Sequence, residues 1–296
     1  MIEKKCGFVA VVGRPNAGKS SLLNFVLGET IAMVSHKANA TRKRSNLIVM
    51  HKNSQIIFVD TPGLHHKEKL LNQYMMDEAL KAIGDCDLIC FLAPITDDVS
   101  HYKEFLTKNT KNRPHFLVLT KIDFVSKDEV FAKIEEYNSL DSNHLGIIPF
   151  TTKNESTKKT FLDAIEKNLP FGDFLFDTEI LTTDYIRDIY KEFIREAIFE
   201  KISDEIPYET DIKIDKIEEK PNVDVIKATI IVEKQNQKGM IIGENAASIK
   251  RIGKYAREKI EKLSGKKAYL ELFVSVKKGW SKNKQALKDF GYDFDK

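Results

Sequence analysis

Eight residues near the N-terminus have the spacing of a phosphate-binding loop. The segment Gly13–Ser20 reads Gly-Arg-Pro-Asn-Ala-Gly-Lys-Ser and fits the pattern G-x-x-x-x-G-K-[ST]. In such a loop, backbone N–H groups and the positive end of the following helix converge on phosphates. The Lys19 ammonium would reach the β- and γ-phosphates, and the Ser20 hydroxyl would ligate Mg²⁺. The pattern predicts a nucleotide site, and the alternative is an ordinary glycine-containing turn between a strand and a helix.

A second motif, Asp60-Thr61-Pro62-Gly63, follows the apolar stretch Gln55–Val59. A carboxylate at the C-terminal end of a strand lies on the ligand-binding edge of an open α/β sheet. We therefore expect Asp60 to hold Mg²⁺ through water and the Gly63 N–H to approach a γ-phosphate. The motif is informative because it lies one strand–helix–strand unit after the phosphate loop.

A third motif, Thr120-Lys121-Ile122-Asp123, follows the apolar stretch Phe116–Leu119. The Asp123 carboxylate can accept hydrogen bonds from N1–H and the 2-amino group of guanine, with the Lys121 stem along the base. Adenine would leave that carboxylate unpaired, and sites built on such polar pairing discriminate by ~10⁴. The motif predicts a preference for GTP and disfavours an ATP-using enzyme; the alternative is an ordinary loop at a strand end.

These motifs need a scaffold that brings strand ends together, and the hydrophobic pattern supplies one. The predicted strands are Phe8–Val12, Asn46–Met50, Gln55–Val59, Leu88–Ala93, Phe116–Leu119 and Ile147–Phe150. The predicted helices are Ser21–Leu27, Tyr102–Thr110, Asp128–Ser139 and Lys158–Leu169. Their alternation predicts an α/β fold with a mostly parallel, doubly wound sheet.

The second half of the chain has a different order of elements and a different charge. Its predicted order is α-β-β-α-α-β, from a helix at Tyr185–Ala197 to a strand at Ala268–Val276. The whole chain has a net charge of +3, yet fourteen Lys and Arg residues face four Glu residues between Lys238 and Lys288. Such a basic block points to an anionic partner, either nucleic acid or an acidic membrane; the alternative is a solvated lysine face.

The length of 296 residues suggests two domains. We predict the first domain at residues 1–171, an acidic linker at 172–180 and the second domain at 181–296. No apolar run approaches the ~20 residues of a transmembrane helix. The three cysteines give no disulfide framework, so we expect core thiols in a reducing cytoplasm.

Taken together, the motifs resemble the Era family of bacterial ribosome-assembly GTPases over nearly the whole chain. The resemblance rests on Gly13–Leu22, Asp60–His65 and Gly279-Trp280, and on motifs in the order of translation-factor-type GTPases. It implies a P-loop GTPase domain that binds GTP or GDP with Mg²⁺. It also identifies Thr41 as the switch threonine that closes onto Mg²⁺ and the γ-phosphate.

The resemblance implies three overlapping groups of residues at the nucleotide site. Those expected to bind the nucleotide are Gly13, Arg14, Pro15, Asn16, Ala17, Gly18, Lys19, Ser20, Ser21, Asp60, Thr61, Pro62, Gly63, Leu64, Thr120, Lys121, Ile122, Asp123, Thr151, Thr152 and Lys153. Those expected to hold Mg²⁺ are Ser20, Thr41 and Asp60. Those expected to act in hydrolysis are Lys19, Thr41, Gly63 and Asn16.

Three positions change what we expect of the GTPase. Thr120 stands where the family usually has Asn, which removes an amide that braces the loop and the base edge; guanine specificity should persist, and affinity can fall. Leu64 stands where Ras-like enzymes have a water-orienting glutamine, so intrinsic turnover should be slow. We hypothesise that a monovalent cation such as K⁺, held partly by Asn16, completes the site; the alternative is that Asn16 is only a turn residue.

The second half resembles a type II KH domain, an α+β fold that clamps about four nucleotides of single-stranded RNA on a GXXG loop. Here the loop reads Gly243-Glu244-Asn245-Ala246, and we expect Ala246 to adopt right-handed helical angles. The residues expected to bind RNA are Lys238, Gly239, Ile241, Ile242, Gly243, Glu244, Asn245, Lys250, Arg251 and Lys254. Three aromatic residues could stack on bases or belong to the core, namely Tyr255, Tyr269 and Trp280.

The two resemblances imply a function. The leading hypothesis is a monomeric, cytoplasmic GTP-driven switch that binds 16S ribosomal RNA near its 3′ end during assembly of the 30S subunit. The alternative is a nucleotide-gated protein that docks on an anionic membrane surface and hydrolyses GTP incidentally.

Overall fold

The computed structural model describes residues 3–35, 41–63, 70–140, 143–202 and 206–292. The chain forms two compact units. The first contains Met1–Ala32, Thr41–His66 and Met75–Thr183, and the second contains Met33–Ala40, Lys67–Tyr74 and Asp184–Lys296. The expected fold class is confirmed: a mostly parallel α/β unit is followed by an α+β unit.

The first unit alternates strands and helices around one six-stranded sheet. Its elements are β1 (Lys5–Val12), α1 (Lys19–Leu27), β2 (Ser45–His51), β3 (Ser54–Asp60), α2 (Leu70–Asp85), β4 (Leu88–Pro94), α3 (Ser100–Lys108), β5 (His115–Thr120), α4 (Lys127–Asn138), β6 (Gly146–Pro149) and α5 (Glu155–Asn168). The sheet order is β2-β3-β1-β4-β5-β6, in which only the β2–β3 pair is antiparallel. Parallel strands place the ends of β1, β3, β4 and β5 at one edge, as the motifs require.

Burial explains why these runs form central strands. Every residue of β3, β4 and β5 is buried, which is typical of strands covered on both faces by helices. Cys86 and Cys90 lie within this core as free thiols, as predicted, and burial raises the pKa of Cys86 to about 12. Helix α2 was missed by the sequence analysis, although Leu71, Met75 and Ala79 lie at helical spacing and are buried.

The chain after α5 continues along the first unit instead of leaving it. The Ile48 N–H of edge strand β2 donates to the Leu181 carbonyl at 2.8 Å, and Thr182 Oγ1 donates to the Asn46 carbonyl at 2.8 Å. Gln55 Oε1 accepts the N–H groups of Leu175 and Phe176. Leu175 and Phe176 of the predicted linker are therefore held by hydrogen bonds to β3, and Leu181 and Thr182, at the start of the predicted second domain, are held by β2.

The second unit packs helices against a three-stranded sheet of order β7-β8-β9. Its elements are α6 (Ile186–Lys201), β7 (Thr210–Glu219), β8 (Val223–Val232), α7 (Gln235–Ile242), α8 (Ala247–Ser264), β9 (Lys267–Val276) and α9 (Lys284–Asp289). Strand β8 pairs antiparallel with β7 and parallel with β9. The pairing of β7 with β8 shifts register between Ile214 and Lys216, as at a β-bulge.

A buried charge cluster lies within the second unit. Lys191 Nζ donates to Asp211 Oδ1 at 2.8 Å and to the Phe290 carbonyl at 3.1 Å. Arg195 Nη2 donates to the same Asp211 oxygen at 3.1 Å. Burial lowers the pKa of Lys191, and its neighbour Asp211 counters that effect. Separately, none of the helices in the described part of the chain combines the length and apolar character that crossing a lipid bilayer requires.

Candidate functional site

The phosphate loop joins β1 to α1 and contains unusual backbone angles. Asn16 and Gly18 have φ values of 62° and 99°. A Cβ at Gly13 would lie 2.8 Å from the Leu92 carbonyl oxygen of neighbouring strand β4. Glycine is therefore required at position 13 for the loop to start so close to the sheet. The bend directs loop N–H groups and the N-terminus of α1 toward the strand-end edge.

Lys19 is buried within this loop. Its ammonium donates to the carbonyl oxygens of Gly13 at 3.2 Å and Arg14 at 3.1 Å. Burial lowers the pKa of Lys19 to about 8, the Asp60 charge opposes that shift, and the Arg14 charge adds to it. An arriving phosphate would give this ammonium a counter-charge, so the site favours an anion beside Lys19.

The three predicted Mg²⁺ ligands come together. The hydroxyls of Ser20 and Thr41 lie 3.3 Å apart and donate to Asp60 Oδ2 at 3.3 and 3.4 Å. Asp60 Oδ1 is buried, and no described residue forms a hydrogen bond with it. Burial raises the pKa of Asp60 to about 6, despite the opposing Lys19 charge. A buried carboxylate oxygen without a donor, beside two hydroxyls, fits a hard cation such as Mg²⁺.

The strand-end motif after β3 packs directly on the phosphate loop. A Cβ at Gly63 would lie 2.7 Å from the Pro15 nitrogen, so only glycine fits there. Thr61 Oγ1 donates to the Val11 carbonyl at 2.7 Å, which fixes the turn against β1. Leu64, expected beside the nucleotide, lies outside the described residues.

Thr120, which stands where the family usually has Asn, contacts the phosphate loop through its hydroxyl. Its hydroxyl, at the end of β5, donates to the Ala17 carbonyl of the phosphate loop at 2.8 Å. Both groups are buried, so this hydrogen bond braces the loop without an amide. The amide is absent, as its replacement by threonine requires, and the Thr120 hydroxyl supplies a hydrogen bond to the loop backbone from this position.

Two side chains of the loop after β6 contact the Asp123 carboxylate. Thr151 Oγ1 donates to Asp123 Oδ1 at 2.9 Å, and Lys153 Nζ lies 2.6 Å from Asp123 Oδ2. The Lys153 ammonium lowers the pKa of the Asp123 carboxyl, which stays ionised for base recognition. The sequence analysis placed Thr151, Thr152 and Lys153 at the nucleotide and assigned them no contact with Asp123. The cation at Lys153 was the available signal for a second role.

A further pair at the strand-end edge was not predicted. The Arg14 guanidinium forms two hydrogen bonds with Asp97, Nε to Oδ2 at 2.5 Å and Nη2 to Oδ1 at 2.6 Å. Asp97 follows the buried strand β4, just as Asp60 ends β3. The rule that identified Asp60 could therefore have found Asp97 as well.

The predicted RNA-binding loop, Gly243–Ala246, forms the turn between α7 and α8. Gly243 is tightly packed, because a Cβ there would lie 2.6 Å from Ser248 Oγ. Asn245 and Ala246 both have positive φ, 50° and 59°. The backbone of Ala246 is thus in the left-handed region, and the expectation of right-handed angles was wrong. The short turn between α7 and α8 is built from consecutive residues with positive φ, and Ala246 is one of them. Each such residue with a Cβ costs roughly 1 kcal/mol.

A basic face follows this turn on α8. Lys250, Arg251 and Lys254 are exposed there, and Lys254 lies about one helical turn after the other two. The remaining predicted RNA residues lie in the Lys238–Asn245 segment, where Ile241 is fully buried and packs the turn onto the unit.

The three aromatic candidates differ in exposure. Trp280 is fully buried and therefore belongs to the core. The Tyr255 hydroxyl donates to Glu196 at 3.1 Å. Tyr269 is 59% exposed on edge strand β9, so it alone of the three keeps a free ring face.

Comparison with known families and proteins finds likeness in both units. Residues 8–121 match a family described as 50S ribosome-binding GTPase, and residues 205–281 match the KH domain. GTPase Era of Campylobacter lari is 51% identical over 98% of this chain and 99% of its own length. GTPase Era of Helicobacter pylori strain P12 is 48% identical over 98% of both chains.

Two solved structures are similar over nearly the whole chain. One is Era in complex with MgGDPNP and nucleotides 1506–1542 of 16S ribosomal RNA, with a TM-score of 0.94 and 33% identity, covering 98% of this chain and 100% of the other. The second is a variant of Aquifex aeolicus Era bound to GDP·AlF4⁻, with a TM-score of 0.93, 32% identity and the same coverage. The likeness therefore includes both units.

Proposed function

Because the chain belongs to the Era family of GTPases, we propose that it is a GTP-driven switch that binds 16S ribosomal RNA during assembly of the 30S subunit. The observation that carries the proposal is the likeness, over 98% of the chain, to an Era structure holding both MgGDPNP and 16S ribosomal RNA. The first unit binds and hydrolyses GTP, and the second binds RNA.

The phosphate loop binds the triphosphate through its backbone N–H groups and Lys19. Ser20, Thr41 and Asp60 would hold Mg²⁺, and the proposal is supported by their mutual distances and by the unpartnered Asp60 oxygen. Bound Mg²⁺ supplies positive charge that stabilises the charge developing on the phosphates. Gly63 packs against the loop, and its N–H is our candidate donor to a γ-phosphate oxygen.

Guanine is recognised by Asp123, whose carboxylate is kept ionised and oriented by Thr151. Guanine offers this carboxylate two N–H donors, and adenine offers none at the same positions. Replacing Asp123 with Asn should therefore abolish the preference for GTP over ATP, measured by competition against a fluorescent GDP. Equal competition by ATP and GTP in the unmodified protein would contradict guanine recognition.

Hydrolysis needs positioning and neutralisation of charge more than covalent chemistry. Asn16, exposed at a positive-φ position of the loop, is our candidate to hold part of a K⁺ site. We expect faster GTP hydrolysis in KCl than in NaCl at equal ionic strength, and an Asn16→Ala variant should lose the difference. Equal rates in the two salts would remove the cation from the proposal.

RNA binding is assigned to the turn Gly243–Ala246 and to the exposed cations of α8. The turn carries no cation of its own, so phosphate attraction must come from Lys250, Arg251 and Lys254. A KH fold supplies a groove for about four unpaired nucleotides, which suits the single-stranded end of a ribosomal RNA.

The RNA assignment is tested with a paired set of variants. Lys250→Gln/Lys254→Gln should weaken binding to an RNA copy of the 16S 3′ end and reduce the salt slope by about 1.4, the value for two phosphate contacts to a single strand. The control Lys213→Gln/Lys216→Gln removes two exposed cations from β7 and should leave binding unchanged. Crosslinking in cells should enrich the 3′ end of 16S ribosomal RNA; reads scattered without enrichment would overturn the assignment.

The proposal describes a cytoplasmic monomer. A peripheral location on the inner membrane surface is the competing possibility for the basic face. Flotation with vesicles containing anionic lipid, run over the same salt series as the RNA titration, distinguishes the two. Retention on vesicles at a salt concentration that releases RNA would favour the membrane.

A further inference from the structure

An ion pair joins the phosphate loop to a residue outside the nucleotide-binding motifs. The Arg14 guanidinium meets the Asp97 carboxylate through two hydrogen bonds of 2.5 and 2.6 Å, the forked arrangement that is both strong and geometrically selective. The Asp97 side chain is only 8% exposed, and that of Arg14 is 29% exposed. Screening by solvent is therefore weaker here than at a surface pair.

Asp97 is itself fixed by the strand ends beside it. Its N–H donates to the Pro94 carbonyl at 2.9 Å, which closes a turn directly after β4. The Ile95 N–H in this turn donates to the Thr120 carbonyl at the end of β5, also at 2.9 Å. The carboxylate is thus presented by two central strands and not by a loose loop.

Arg14 passes this constraint to the loop backbone. Its Nη1 donates to the Pro15 carbonyl at 2.9 Å, so one guanidinium bridges Asp97 and the loop. The Arg14 carbonyl in turn accepts the Lys19 ammonium at 3.1 Å and the Ala17 N–H at 3.2 Å. The backbone around Arg14 therefore sets where the phosphate-binding lysine points.

Charge leads to the same conclusion. The positive charge of Arg14 disfavours the ammonium of nearby Lys19. The Asp97 carboxylate neutralises that charge, and its hydrogen bonds raise the pKa of Arg14. The pair thus shapes the loop while adding no net charge to the phosphate site.

We propose that Asp97 is a positioning residue of the GTPase, which acts through Arg14 to hold the phosphate loop ready for GTP and GDP. This role rests on the proposed function. The loop contacts the phosphates in the ground state and in the transition state alike. Holding the loop in place therefore stabilises both states equally, which is uniform binding. Loss of uniform binding raises KM and leaves kcat unchanged.

The test uses the full-length protein with Asp97→Asn, which keeps the size of the side chain and removes its charge. We expect the Kd for fluorescent GDP and the KM for GTP to rise about tenfold, with kcat per active site within twofold. The matched control is Asp98→Asn, one residue along, whose exposed carboxylate accepts the Ser100 N–H at 2.7 Å. Its KM should stay at the unmodified value.

Arg14→Met tests the same ion pair from its other side if Asp97→Asn folds poorly, and the two changes together form a double-mutant cycle. Arg14→Met alone should raise KM as Asp97→Asn does, and the double variant should be no worse than either single variant. A KM unchanged in Asp97→Asn, a fall in kcat alone, or single effects that multiply in the double variant would each overturn the role. If the unmodified protein failed to bind GTP, the proposed function would fail instead.

Discussion

The hydroxyl of Thr120 donates to the carbonyl oxygen of Ala17, and this buried 2.8 Å hydrogen bond joins the base-recognition motif to the phosphate loop. The two groups are separated by more than a hundred residues of sequence and come from different strand ends. Because the bond is buried, breaking it would leave a carbonyl without a donor. This hydrogen bond therefore couples the position of the base-recognition motif to that of the phosphate loop.

Replacing Thr120 with Val should weaken binding of both GTP and GDP by about tenfold. Valine has the shape of threonine, so the change removes the donor and leaves the Ala17 carbonyl unpaired at a cost of roughly 1–3 kcal/mol. Titration with a fluorescent GDP measures the effect, and Thr120→Ser, which keeps the hydroxyl, is the control. Unchanged affinity in Thr120→Val would show that the bond does not support the loop.

Removing the charge of Asp211 should destabilise the second unit strongly. The buried cations Lys191 and Arg195 both donate to Asp211 Oδ1, and loss of a buried partner charge typically costs about 3–5 kcal/mol. We expect Asp211→Asn to lower the urea midpoint of the transition that reports this unit. Asp215→Asn, at an exposed position of the same strand, should change the free energy of unfolding by less than about 1 kcal/mol.

Replacing Ala246 with Gly should stabilise the second unit by about 1 kcal/mol, because glycine adopts the left-handed angles at φ 59° without a Cβ penalty. The neighbouring Ala247 is right-handed, at φ −65°. There the same change should destabilise by roughly 0.5–1 kcal/mol. Urea unfolding of the two variants should therefore move in opposite directions, and equal shifts of one sign would exclude backbone strain as the cause.

Stability should fall between pH 7 and pH 5 through His115. Burial lowers the pKa of this imidazole, whose Nε2 lies 2.7 Å from the Tyr102 hydroxyl; the Arg113 backbone opposes the shift, and nearby His144 adds to it. The unfolded chain takes up a proton near pH 6.5, while the folded imidazole stays neutral to lower pH. Unfolding therefore becomes easier as pH falls below about 6.5, until the folded pKa is reached.

His115→Gln should remove this part of the pH dependence, and His144 should leave a further part in place, since its pKa is also lowered by burial. Urea unfolding at pH 7.5, 6.5 and 5.5 measures the slope in each protein. Identical slopes in the two proteins would show that His115 is not the group responsible.

Much of the nucleotide site follows from local sequence. Gly13, Lys19 and Asp60 belong to patterns in which each residue type has one physical task at a fixed place relative to a strand end. Parallel strands then bring those places to one edge, where the side chains of Ser20, Thr41 and Asp60 lie within 3.4 Å of one another.

The parts that were missed depend on distant contacts. Asp97 gains its role only because β4 lies beside β1, and Asp211 only because α6 presents two cations to it. The backbone at Ala246 was misjudged for a related reason: helix propensity describes the residue, whereas the turn between α7 and α8 dictates its angles.

The pairing of Ile48 with Leu181 has a practical consequence for dissecting the protein. Strand β2 ends the sheet, and an uncovered sheet edge is a template for association with other copies. A fragment truncated at residue 171 would bare this edge and strip Gln55 of two backbone donors, inviting self-association. A fragment that extends through Thr183 keeps the segment that covers β2 and is the better starting material for nucleotide titrations.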